Sequence, residues 1–256
     1  MSANDLTFGM HAVRHLLRAA PERVHALYLQ DGRKDEPMRS LLELARAART
    51  PIRVVQRDEL DRMLPGARHQ GAIARIAAAR VLDEDALMSL IERCADAPLI
   101  LVLDGVQDPH NLGAMLRLAD AAGVHAVVAP RDRAVGLTPA VRKVASGAAE
   151  TVSFAQVGNL ARCLAHLRER DVRVIGAALD AQASLYDEDL TGPTALVLGG
   201  EASGLRRLTR ERCDQLVSLP MRGSIESLNV AVTAGICVYE AVRQRGVAAS
   251  QREPAA

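Results

Sequence analysis

The sequence predicts an α/β protein of two units, the second built on a parallel sheet. Three observations carry this. Apolar strand-like runs alternate with segments of helical spacing along most of the chain. One run, Leu99-Ile100-Leu101-Val102-Leu103, is apolar on both faces, as a strand covered by helices on each side must be. The alternation breaks at residues 78–86 (Ala-Ala-Arg-Val-Leu-Asp-Glu-Asp-Ala), which read as a linker.

In the first unit, residues 1–77, Val13, Leu16 and Leu17 share one helical face and predict a helix over 10–20. A strand follows at 24–29. Leu41, Leu42 and Leu44 then predict a helix over 38–48, and 52–55 is again strand-like. Asp58 would cap a short helix over 58–64, and 72–77 alternates as a strand. After the linker and a lead-in helix (78–97, the helix over 86–95), the second unit spans 98–245. Strands are predicted there at 99–104, 124–129, 172–178, 194–199 and 215–219, and helices at 111–122, 138–146, 157–170 and 227–244. Residues 246–256 read as a disordered tail.

Composition bounds the function classes. With 49% apolar and 25% charged residues the chain can bury a full core, and with 2% aromatics and no Trp that core must be aliphatic. There is no signal-peptide pattern and no apolar run of membrane-spanning length, so a cytoplasmic location without membrane contact is expected. Net charge is only +1, which alone argues against a nucleic-acid partner, but its distribution is uneven. Residues 1–80 hold 14 Lys+Arg against 9 Asp+Glu, net +5, and the remainder 18 against 22, net −4. This fits an RNA-contacting arm beside a catalytic body, and equally a solvated surface with chance asymmetry. Cys94, Cys163, Cys213 and Cys237 are widely spaced, with no Cys-x-x-Cys pair and no His at zinc spacing, so no metal site is expected. Cys237, inside an apolar stretch, reads as a small core residue.

The chemistry-bearing residues fall in three segments that each leave a strand-like run at a turn. In 103–117, Asp108-Pro109-His110-Asn111 opens a helix that carries Arg117 among Leu112, Met115, Leu116 and Leu118. Asn111 could be an ordinary N-cap and Arg117 a solvated arginine. In 196–205, Gly199-Gly200-Glu201-Ala202-Ser203-Gly204 follows an apolar run. It is neither Gly-x-Gly-x-x-Gly nor a P-loop, and Glu201 is either exposed or paired inside a site. In 219–231, Leu219 and a glycine-bearing loop precede Ser227-Leu228-Asn229 and a helix of small and apolar residues. Here Ser227 could be a plain N-cap and Asn229 a surface residue, yet this arrangement favours a ligand site. Two shorter motifs, Gly9-Met10-His11-Ala12-Val13 and His69-Gln70-Gly71, lie in the first unit and read equally well as turns.

In this order the three segments resemble the SpoU (TrmH-type) class of SPOUT RNA 2′-O-methyltransferases, and the resemblance covers nearly the whole chain. The two shorter motifs match as well. Ala202 stands where the class usually has Gly. The resemblance implies a small α/β RNA-binding domain ahead of a SPOUT domain whose C-terminal chain forms a trefoil knot, an exception to the rule against knots. It implies a homodimer that transfers a methyl group from S-adenosyl-L-methionine to a ribose 2′-oxygen. Within the class the chain is most similar to the branch acting on a guanosine of bacterial 23S rRNA. The alternatives are a tRNA or another rRNA site, or a non-catalytic RNA-binding assembly factor.

On the same grounds, Gly199, Leu219 and Leu228 would hold the cofactor through backbone groups. Asn111, Arg117, Glu201, Ser227 and Asn229 would form the catalytic set. Arg117 would bind the phosphate beside the target ribose and the 2′-oxygen as it gains charge, since a guanidinium is never a free base in a protein. Asn111 and Asn229 would orient Arg117, Glu201 would pair with it, and Ser227 would hydrogen-bond nearby.

Overall fold

The computed structural model describes residues 6–77, 81–200 and 204–252. Their contacts divide into two units. The first opens with β1 (Leu6–Phe8), α1 (Met10–Ala19), β2 (Val24–Gln30), α2 (Glu36–Ala47), β3 (Ile52–Val55), α3 (Arg57–Met63) and β4 (Ala72–Ile76). Its sheet has the order β1-β4-β2-β3, with β4 antiparallel to β1 and β2, and β3 parallel to β2. Helices α1 and α2 bury Val13, Leu16, Leu17, Met38 and Leu41 on one face, while Leu60 of α3 joins Tyr28 and Ile73 on the other.

Two details differ from the sequence expectation. Strand β1 escapes the periodicity because three residues are too few to show alternation. Asp58 is not the cap of α3: the helix starts one residue earlier from Gln56, so the acid sits in the first turn, where it favours the helix dipole.

The second unit begins with α4 (Glu84–Glu92), whose Asp83 cap accepts from Ala86 N at 2.9 Å. It continues with β5 (Leu99–Asp104), α5 (Pro109–Ala122) and β6 (Ala126–Pro130). The next two helices, α6 (Pro139–Ala145) and α7 (Ala148–Thr151), belong by their contacts to the first unit. There Glu150, with a side chain 1% exposed, is held between Arg23 and Arg142. Residues 137–151, read from sequence as part of the second domain, therefore pack against α1 and β1 instead.

The second unit resumes with β7 (Phe154–Val157), α8 (Leu160–Arg168), β8 (Arg173–Ala177), β9 (Ala183–Ser184), β10 (Thr194–Gly199), α9 (Arg207–Arg210), β11 (Gln215–Ser218) and α10 (Val230–Arg252). All seven strands are parallel, in the order β7-β6-β5-β10-β8-β11-β9. The fully buried β5 lies near the middle, as its unbroken apolar run requires. Strand β7 lies almost wholly in the stretch left without an assignment between the helices expected over 138–146 and 157–170, and the two-residue β9 carries no readable pattern.

The tail assignment is corrected in part. Helix α10 runs to Arg252, and only 253–256 lie outside the described residues. Arg245 explains the continuation. Its guanidinium donates to the carbonyls of Ala97, Pro98, Leu190 and Gly192, pinning the helix where the tail was expected to start. No helix among the described residues is long and apolar enough to cross a membrane.

Candidate active site

Parallel strands deliver their carboxyl ends to one edge of a sheet, and ligands bind there. In the second unit a cavity of about 660 Å³ opens at that edge, lined by Ala177 of β8, Leu198 and Gly199 of β10 and Val217 of β11. Gly200, Gly204 and Leu205 form one wall; Leu219, Met221, Ser227, Leu228 and Asn229 form another. A pocket of this size suits a cofactor-sized molecule, for which about 300–1,000 Å³ is usual.

Two glycines make the wall possible. A Cβ on Gly199 would lie 2.0 Å from the carbonyl carbon of Gly204, and one on Gly200 2.7 Å from the oxygen of Gly105. Backbone meets backbone here, so no side-chain movement could relieve a substitution. The loop is then tied at both ends to Asp104. Its carbonyl accepts from Gly200 N at 2.9 Å, and its fully buried carboxylate accepts from Arg206 N at 2.8 Å and pairs with the Arg206 guanidinium. The sequence reading passed over Asp104 and Arg206. An acid closing an apolar strand is a usable signal, but its partner is 102 residues away.

Asn229 is the cap of α10. Its Oδ1 accepts from Ala231 N at 2.9 Å and Val232 N at 3.3 Å, and its carbonyl accepts from Thr233 N at 3.0 Å. Its Nδ2 donates to Asn111 Oδ1 at 3.1 Å. Asn111 is buried inside the first turn of α5 and does not cap it; Asp108 does, accepting from His110 N. Ser227 is not the helix cap either, and lines the cavity.

The structure thus brings Gly199, Leu219, Ser227, Leu228 and Asn229 around one cavity and joins Asn111 to it through Asn229. Arg117 is exposed on α5 and is not among the lining residues. Glu201 lies outside the described residues. Two charged lining residues went unread in the sequence, Asp180 between β8 and β9 and Arg210 at the end of α9. The Arg210 guanidinium holds the Asp180 carboxyl below the usual carboxylate range. Among the described residues no cluster of three or more His, Cys, Asp or Glu could hold a metal ion.

The two motifs of the first unit also meet. Gln70 Oε1 accepts from Met10 N at 3.2 Å, and Gly9 N donates to Ala72 O at 3.0 Å. His69 is buried; its Nδ1 accepts from Gly71 N at 3.0 Å, which leaves the Nε2 proton to Asp61 Oδ1 at 2.9 Å. These contacts hold the β4 entry turn against the start of α1.

The profile of the SpoU rRNA Methylase family matches residues 98–239. The chain belongs to the SpoU rRNA methylase family. A second profile, described as RNA 2′-O ribose methyltransferase substrate binding, matches residues 6–82. Among curated relatives, the 23S rRNA (guanosine-2′-O-)-methyltransferase RlmB of Shewanella oneidensis is 52% identical, covering 96% of this chain and 99% of that protein. RlmB of Escherichia coli is 48% identical, with coverage of 94% and 99%. Among solved structures, the SpoU methyltransferase AviRb from Streptomyces viridochromogenes superposes with a TM-score of 0.77 at 26% identity, covering 95% of this chain and 90% of that one. A second AviRb structure, in complex with the cofactor AdoMet, gives 0.74 at 25% identity, with coverage of 94% and 90%. The family's fold, a parallel α/β methyltransferase domain that follows a substrate-binding domain in sequence, is the fold seen here.

Proposed function

We propose that this protein methylates the ribose 2′-oxygen of a guanosine in 23S rRNA with S-adenosyl-L-methionine as donor. The observation that carries this is the cavity of cofactor size at the strand ends, lined by two motif segments far apart in sequence, 196–205 and 219–231, with Asn111 of the third joined to it through Asn229. The near-full-length identity to RlmB proteins supports the choice of substrate. The lining fits the cofactor. Glycines at 199, 200 and 204 leave main-chain groups accessible, and Leu198, Leu219 and Leu228 offer apolar surface for an adenosine.

When bound, S-adenosyl-L-methionine would supply an electrophilic methyl to the 2′-oxygen, the C–S bonding pair staying on sulfur and the hydroxyl proton passing to solvent. The chain's own work is placement and charge. Gly199, Leu219 and Leu228, which line the cavity, would hold the cofactor and orient it toward the ribose. Arg117, exposed on α5, grips the RNA phosphate through its guanidinium and stabilises the 2′-oxygen as it becomes anionic. Asn111 and Asn229 stiffen the start of α5, the helix that carries Arg117, and Glu201 and Ser227 complete the set. The first unit, where residues 1–80 carry net +5, binds RNA through phosphates.

The active species is a homodimer. Along α10, Val232, Tyr239 and Val247 are 51%, 50% and 46% exposed at helical spacing, an apolar stripe suited to a self-complementary interface. Light scattering should give a dimer for wild type and a monomer for Val232→Asp/Tyr239→Asp; a monomeric wild type would refute this.

The reaction is tested with methyl-labelled cofactor on 23S rRNA, 16S rRNA and tRNA transcripts, followed by digestion to nucleosides. Label in 2′-O-methylguanosine from 23S rRNA is expected. Transfer to tRNA alone would move the protein to the other branch of its class, and no transfer to any RNA would favour an assembly factor.

A further inference from the structure

Among the described residues, the cavity lining has two charged side chains, Asp180 and Arg210. They come from different segments and carry opposite charge. Arg210 Nη1 donates to Asp180 Oδ1 and Nη2 to Oδ2, both at 3.0 Å, a full planar fork. The rest of the lining is glycine, aliphatic residues and methionine, with neutral Ser227, Asn229 and Thr233. The aspartate side chain is 70% exposed. A pair so open to water adds little stability as a strap, which leaves its place on the cavity unexplained by folding alone.

The cofactor has an uncharged nucleoside at one end and an α-amino acid at the other. Its ammonium and carboxylate hang from a single carbon, so their receptor must present an acceptor and a forked donor side by side. We propose that Asp180 and Arg210 are that receptor. Arg210 takes the α-carboxylate through its two parallel N–H groups, a match of planar fork to planar anion that lysine could not offer. Asp180 accepts from the α-ammonium. Binding exchanges the internal fork for the two charges of the zwitterion, so the N–H groups that now face Asp180 turn to the α-carboxylate and neither charge is left unpaired. The apolar and glycine-lined remainder of the cavity is left for the nucleoside. This rests on the reading of the cavity as the cofactor site.

Two ligands separate the ends of the cofactor. S-adenosylhomocysteine carries the amino-acid end; 5′-methylthioadenosine has the same nucleoside and thioether without it. Calorimetry on the full chain should give tighter binding of S-adenosylhomocysteine to wild type. In Arg210→Gln its affinity should fall about tenfold or more, the scale of a charged hydrogen bond, while that of 5′-methylthioadenosine stays the same. Asp180→Asn should act in the same direction, and Arg210→Lys should recover only part of the loss. Equal weakening of both ligands in folded Arg210→Gln and Asp180→Asn, or no change in either, overturns the proposal. Wild type that binds both ligands equally overturns it while sparing the cofactor site; wild type that binds neither overturns both.

Discussion

Asn229 donates its side-chain amide to Asn111 Oδ1 at 3.1 Å, joining the cap of α10 to the buried first turn of α5 across 118 residues. The bond makes the two segments one unit, so the pair should be energetically coupled. Asn229→Ala should cost about 1 kcal/mol as a lost cap. A cycle with Asn111→Ala, read by urea unfolding, should give a coupling of roughly 0.5–1.5 kcal/mol. Additive effects would mean the contact carries no weight.

Gly199→Ala should abolish cofactor binding. A Cβ there meets backbone at 2.0 Å, and overpacking of this kind costs about 1–3 kcal/mol or more even where side chains can yield. Gly223→Ala is the control, since nothing lies within 4 Å of its added Cβ. Calorimetry should show no heat for the first and wild-type heat for the second. Normal binding by Gly199→Ala would mean that the loop around Gly204 moves freely.

Asp104→Ala should destabilise the second unit by about 3 kcal/mol, the range for breaking a buried ion pair, and should weaken cofactor binding too. The carboxylate is fully buried, while Arg206 is 38% exposed and can be rehydrated, so the cost sits at the low end of that range. Thermal unfolding with and without S-adenosylhomocysteine measures both effects. A shift in stability with unchanged affinity would show that the clamp does not shape the pocket.

Burial pushes the Cys163, Cys213 and Cys237 thiols up to about 12. A thiol whose value rises on folding favours the native state below its unfolded value, near 9, and that support is lost as pH climbs toward 12. At pH 8.5 these three should resist iodoacetamide in the native protein, whereas Cys94, partly buried like Cys213 but with a thiol that burial raises less, reacts first. Peptide mapping after timed alkylation checks the order. Early labelling of Cys237 would contradict its place in the core.

Much of this was legible in the sequence because it is local. The apolar run 99–103, the Gly-Gly turn at 199–200 and the Ser-Leu-Asn before α10 each declare themselves within a few residues. What stayed hidden is long-range. Asp104 needs Arg206, and Asp180 needs Arg210 across β9, β10 and the start of α9. The helices at 139–151 have ordinary patterning, so nothing local says that Glu150 will meet Arg23 in the first unit. The α10 extension depends on Arg245 finding four carbonyls from two distant loops.

Arg117→Lys separates a forked donor from a point charge. Lysine keeps the charge but not the planar geometry, so turnover should fall roughly 10²-fold, as when one preorganised oxyanion donor is removed. S-adenosylhomocysteine affinity should be unchanged, because Arg117 lies outside the cavity lining. Single-turnover rates and calorimetry together test this. Near wild-type turnover would reduce Arg117 to a charge.

The most direct test is nucleoside mass spectrometry of 23S rRNA from cells lacking this protein, complemented with wild type or with Arg117→Ala. One 2′-O-methylguanosine should vanish in the deletion, return with wild type and stay absent with Arg117→Ala. Unchanged 2′-O-methylguanosine in the deletion strain would contradict the assigned reaction.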